Sequence, residues 1–173
     1  VGPLHLDDAL ASGRGARDTD RVHRRLGPRV HETDLFRAEA GADLISIHCE
    51  NANAATALER IKTLGLKAGM VLKVDTPVAR VKSFLPQLDF VTLLGTAIGV
   101  TGQGLDPSAT TRLQEAKALI KESGRRIVLA ADGGIRENTV PDLRHAGAET
   151  VVLGSLAFGA PDLAARMAWL KEL

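Results

Sequence analysis

Five short apolar runs recur along the chain, each followed by a helix-like stretch, and this alternation limits the folds open to it. The runs are Leu44–Cys49, Gly69–Val74, Phe90–Thr96, Ile127–Ala131 and Thr150–Gly154. They are short, rich in β-branched residues and apolar at successive positions, which is the pattern of strands buried on both faces, as in a parallel sheet. Between them, Asn53–Leu64 places Ala57, Leu58, Ile61 and Leu64 at helical spacing. Pro77–Leu85, Pro107–Glu122, Asn138–Ala146 and Pro161–Leu173 are expected to be helical as well, two of them with Leu113, Ala116, Leu119 and Ile120 or a leading Pro as the signal. Ala40-Gly41-Ala42-Asp43 before one run and Ala146-Gly147-Ala148-Glu149 before another repeat a helix stop that feeds a strand. The expectation is a series of βα units with an α/β fold.

Length and composition narrow this further. The chain has 173 residues. That suits one domain, but a complete eight-fold β/α barrel takes about 250 residues and at least roughly 200. Apolar residues are 45% and charged residues 25%, which excludes disorder and coiled coil as readings of the whole. A formal charge of +1 gives no electrostatic footprint for nucleic acid. No apolar run is long enough to span a membrane. Cys49 is the lone cysteine, so no intrachain disulfide forms, and a cytoplasmic setting is expected. Residues 12–33 hold six Arg and no regular period. They are expected to be irregular, in a domain that spans 1–173 with its βα repeats from 34 onward.

In α/β folds ligands gather at the C-terminal ends of strands. The first run ends in His48-Cys49-Glu50, where His48 is a candidate substrate-side group and Cys49, on the opposite face, a core residue. After the second, Asp75 or Thr76 is expected to cap the next helix. The third runs into a loop with Gly95, Gly99, Gly102 and Gly104, whose backbone can approach an anion closely. It has neither the Walker pattern nor the dinucleotide spacing. The fourth ends in Asp132-Gly133-Gly134, a carboxylate closing an apolar run. The fifth ends in Gly154-Ser155, opening a short helical turn suited to phosphate.

Gly41-Ala42-Asp43-Leu44-Ile45-Ser46-Ile47-His48, Lys67-Ala68-Gly69-Met70-Val71-Leu72, Gly99-Val100-Thr101-Gly102-Gln103, Ala131-Asp132-Gly133-Gly134-Ile135 and Gly154-Ser155-Leu156-Ala157-Phe158-Gly159 occur in the order of the ribulose-phosphate 3-epimerase family, which the chain resembles over roughly residues 34–160. The resemblance implies a (β/α)8 TIM barrel of the ribulose-phosphate-binding type, here with about five to six units and its N-terminal part missing. It implies inversion at C3 of a ketose phosphate such as ribulose 5-phosphate, by two-base proton transfer through a metal-stabilised enediolate. On that resemblance Asp132 is the second catalytic aspartate and a ligand of a divalent metal ion (Zn, Fe, Mn or Co), with His23 as a further metal ligand. Gly99, Val100, Thr101, Gly102, Gly133, Gly134, Gly154 and Ser155 become phosphate-side residues. A phosphorylated ketose and a second copy of the chain are the implied partners, with no nucleic acid and no membrane. The first catalytic aspartate has no counterpart, so weak or absent turnover is expected of this chain. The usual Asn-Pro before the glycines of the third loop is also missing. A non-catalytic sugar-phosphate-binding or subunit-pairing paralogue, or another phosphate-barrel isomerase or decarboxylase, are the alternatives.

Overall fold

The computed structural model describes residue 37, residues 40–99 and residues 102–173. Five strands form one parallel sheet in the order of the chain: β1 (Leu44–His48), β2 (Lys67–Leu72), β3 (Phe90–Leu94), β4 (Val128–Asp132) and β5 (Thr150–Val152). A doubly wound sheet reverses its strand order at a switch point. This one does not, which is the arrangement of successive units in a β/α barrel. β1 and β5 do not pair with each other, so the sheet is open among the described residues.

The helices are α1 (Ala54–Thr63), α2 (Ala109–Glu122), α3 (Val140–Ala146), α4 (Ser155–Phe158) and α5 (Leu163–Glu172). α1 buries Ala54, Ala57, Leu58 and Ile61, spaced to form one stripe. α3 ends at Gly147, whose φ of 118° only glycine adopts at little cost, and Ala148 N–H returns to the Leu143 carbonyl. α5 starts at Asp162, whose carboxylate accepts from Ala165 N–H at 3.0 Å.

Strand alternation divides the sheet into two faces. Ile45, Ile47, Met70, Leu72, Val91, Leu93, Leu129 and Val151 lie under the helices and are buried. The second face carries His48, Val71, Phe90, Leu94, Val128 and Asp132, all half-buried, and Val152, which is 51% exposed.

Two expectations are corrected. Pro77–Leu85 is not an α-helix; it forms two 3-10 turns, Val78–Val81 and Leu85–Gln87. Pro86 limits any continuation of the first turn, because it has no N–H to bond the Lys82 carbonyl, and it sits instead in the first turn of the second segment. β2 begins and ends two residues before the expected Gly69–Val74. Lys67 and Ala68 already pair with Leu44 and Ile45, while the Lys73 N–H leaves the ladder and donates to the Glu50 carboxylate at 3.1 Å.

The N-terminal ends of the strands are tied by a carboxylate. Asp89, just before β3, accepts from Ala68 N–H at 2.8 Å and from Lys62 Nζ at 2.9 Å. Its own backbone bridges Ala68 and Val128. Burial works against its charge, but the Ala68 N–H and Lys62 hold its pKa below the ordinary value. Stability from this group is therefore present above the unfolded pKa, about 3.9, and lost as pH falls through the folded value. Asp89→Ala is expected to cost about 1–2 kcal/mol at pH 7 in urea unfolding. The difference from wild type should shrink under acid; an equal loss at both pH values would contradict the role of the charge.

Candidate active site

His48 and Asp132, at the strands' C-terminal ends, sit on the second face, with glycine-rich loops above it. Asp132 is the last residue of β4, registered between Leu94 of β3 and Val152 of β5. Burial pushes its carboxyl pKa up, against a smaller opposing pull from the Gly133 N–H. A carboxyl with a raised pKa is suited to taking and returning a proton.

The loops that follow β3 and β4 are pressed together backbone to backbone. Gly95 N–H donates to the Asp132 carbonyl at 2.6 Å. A Cβ at Gly95 would lie 2.6 Å from the Gly133 carbonyl oxygen, and one at Gly134 would lie 2.7 Å from Leu105 Cα. Gly134 also has φ +70°. These glycines therefore have a packing reason that fixes the loop following Asp132. Gly99 and Gly102 turn the preceding loop at φ +82° and +80° with open space beside each. Val100 and Thr101 between them, and His23, lie outside the described residues.

Gly154 has φ 45° and ψ −123°, with open space where a Cβ would stand, and it delivers the chain to Ser155 at the start of α4. Arg136 Nη1 donates to the Ile135 carbonyl at 2.8 Å and reaches Ser155 Oγ at 3.4 Å. A guanidinium thus stands between the β4 and β5 loops. Sequence reasoning missed Arg136, although a cation two residues after the glycine pair, next to two anion-suited loops, is a signal for it.

At the other edge of the sheet, on the same face, β1 ends at His48. Its Nδ1 is 3.3 Å from Glu50 Oε2. The other carboxylate oxygen, Oε1, accepts from the Lys73 N–H and from the Thr76 hydroxyl. Burial alone would raise the Glu50 pKa, but these hydrogen bonds outweigh it and hold the carboxyl below its ordinary range. Thr76 therefore serves Glu50, and neither it nor Asp75 caps the turn that follows, which corrects the expectation. Cys49 is buried on the helix side as expected, with its thiol pKa pushed up by burial.

Arg112 of α2 reaches over the same strand ends. It is 8% exposed and donates to the carbonyls of Lys73 at 2.6 Å, Thr76 at 2.9 Å and Leu94 at 3.2 Å. Sequence reasoning missed it.

Among the described residues, no group of three or more His, Cys, Asp or Glu is placed to hold a metal ion. Asp132 contributes one carboxylate there, so the described residues do not by themselves make up a metal site. Among the described residues, no helix is long and apolar enough to cross a membrane.

Residues 30–158 match the model of the ribulose-phosphate 3 epimerase family. The chain is 37% identical over 136 residues to a ribulose-phosphate 3-epimerase of Aquifex aeolicus, covering 78% of this chain and 61% of that protein. It is 36% identical over 163 residues to the Escherichia coli protein of the same name, covering 94% and 71%. The chain thus spans about three fifths of the Aquifex relative's length. Among solved structures, it is similar to a 3-hexulose-6-phosphate synthase from Salmonella typhimurium, with a TM-score of 0.64, 22% identity, and 83% and 67% of the two chains covered. That likeness concerns the fold.

Proposed function

Because the chain belongs to the ribulose-phosphate 3-epimerase family, we propose that its second face is the sugar-phosphate site of a carbohydrate-phosphate epimerase acting at C3 of a ketose phosphate. Asp132 is the observation that carries this reading: a carboxyl with a raised pKa, at the C-terminal end of a buried parallel strand, locked in place by glycine contacts. The C3 hydrogen of ribulose 5-phosphate is acidified by the C2 ketone. Taken by the Asp132 carboxylate, the proton leaves its electron pair in the C2–C3 enediolate. A proton delivered to the opposite face of C3 then gives the epimer, and the ketone re-forms. Asp132 serves one face of that plane. The loop at Gly99–Gly102 and the Gly154-Ser155 turn are the proposed phosphate side, and Arg136 between the β4 and β5 loops supports it with a positive charge. A divalent ion, where bound, would supply stabilisation of the developing oxyanion. The described residues offer it only Asp132, and no step is assigned through it. A cytosolic setting and self-association belong to the same proposal.

Incubation of the chain with D-ribulose 5-phosphate in deuterium oxide separates the two halves of the reaction. Deuterium entering C3 reports proton removal, and xylulose 5-phosphate reports return on the other face. The expected result is exchange at C3 above the buffer rate, with inversion slower than exchange. Binding without exchange would select the non-catalytic alternative, and neither binding nor exchange would reject the sugar-phosphate site.

A further inference from the structure

His48 and Glu50 pose a proton-placement problem with one good solution. His48 Nδ1 and Glu50 Oε2 face each other at 3.3 Å, and both atoms are buried with no hydrogen-bond partner. Were the imidazole proton on Nε2, two acceptors would oppose each other out of reach of water, which is costly for both. With the proton on Nδ1, a slight turn of the ring completes a charge-assisted hydrogen bond and neither atom is orphaned. The carboxylate is not free to turn away. Its Oε1 is fixed by the Lys73 N–H and the Thr76 hydroxyl, and the carbonyls of those same two residues are held by Arg112.

The ring itself lies on the substrate side. His48 registers with Val71, Val71 with Thr92, and Thr92 with Ala130, two residues before Asp132 on the same strand face. From these observations we infer that Glu50 is a positioning residue that holds His48 in the Nδ1–H form, leaving Nε2 as a hydrogen-bond acceptor aimed at a hydroxyl of the sugar phosphate. The inference rests on the proposed sugar-phosphate site and adds a specificity element to it. A carboxylate fixing one ring nitrogen so that the other meets a ligand is a general use of histidine.

The test is nitrogen NMR of the full chain labelled at histidine, which distinguishes the Nδ1–H and Nε2–H forms of the ring. His48 is expected as the Nδ1–H tautomer. Glu50→Gln keeps the shape, but its amide presents N–H groups to Nδ1 and should switch the ring to Nε2–H. Thr76→Ser retains the hydroxyl and should leave the tautomer unchanged. This guards against a merely structural effect of disturbing the loop. D-ribulose 5-phosphate should shift the Nε2 resonance of wild type. Glu50→Gln should raise KM for C3 exchange about tenfold, the scale of one lost hydrogen bond, with kcat within about twofold. An Nε2–H tautomer in wild type, or one indifferent to Glu50→Gln, would overturn the positioning role. Ligand-induced shifts near Asp132 with an unmoved His48 Nε2 would overturn the hydroxyl contact and leave the sugar-phosphate site standing. Shifts at neither place would remove the site itself, and this inference with it.

Discussion

Asp132→Asn is expected to abolish proton exchange at C3 and, in the same protein, to raise the melting temperature at pH 7. The first effect follows from chemistry. An amide cannot accept the C3 proton, and loss of a positioned general base costs about 10²–10⁴ in rate. The second follows from linkage. Burial raises the Asp132 pKa in the folded chain, so folding favours the protonated form. That contribution is fully present below the unfolded pKa, about 3.9, and is lost as pH rises through the folded value. At pH 7 the wild type therefore holds an ionised carboxyl in a place that resists it, and Asn does not. Calorimetry at pH 7 should show the variant melting higher, with the gap closing at about pH 3. A variant that melts no higher at pH 7 would show that the carboxylate is well accommodated and the pKa argument wrong. Unchanged exchange would remove Asp132 from the reaction.

Arg112→Met is expected to be the most damaging single change to the fold away from the apolar core, costing about 3 kcal/mol. The guanidinium donates to three carbonyls from three places in the chain, Lys73, Thr76 and Leu94. Burial lowers its pKa, with Asp106, Glu115, Asp75 and Glu50 acting in the other direction, yet an arginine stays charged at any pH of interest. Met matches the length of the stem but donates nothing, so carbonyls near the ends of β2 and β3 lose their partner inside the protein. For a chain of this size the melting temperature should fall by roughly 6–12 °C. A loss below about 1 kcal/mol in urea titration would mean that water replaces the guanidinium without penalty.

The fold was legible in the sequence because burial on both faces leaves unmistakable apolar runs. Each of the five expected strands is present, and α1 spans the stretch that its apolar stripe marked. His48 and Asp132 were legible for a related reason: a polar residue closing an apolar run has nowhere to point but the end of the sheet. What holds them was not legible. Glu50 finds Lys73 and Thr76 more than twenty residues away, and nothing local predicts that pairing. Arg112 sits in a helix with other polar residues, and a buried arginine there looks like a solvated one until the carbonyls it meets are known. Over Pro77–Leu85 the sequence signal is a leading Pro alone, which suits the first turn of a 3-10 helix as well as that of an α-helix, and the stretch forms 3-10 turns. The family match over residues 30–158 shows that the motifs carried more than any of them does alone.

The order of the strands in the sheet is also the order in which a ribosome would release them. Each strand hydrogen-bonds to the one made just before it, so none has to wait for a distant later segment to find its first neighbour. The sheet can grow by one βα unit at a time, closing only short loops at each step. In the emerging chain the growing edge is the newest strand, and it is covered as soon as the next is synthesised, while β1 keeps its outer edge unpaired among the described strands.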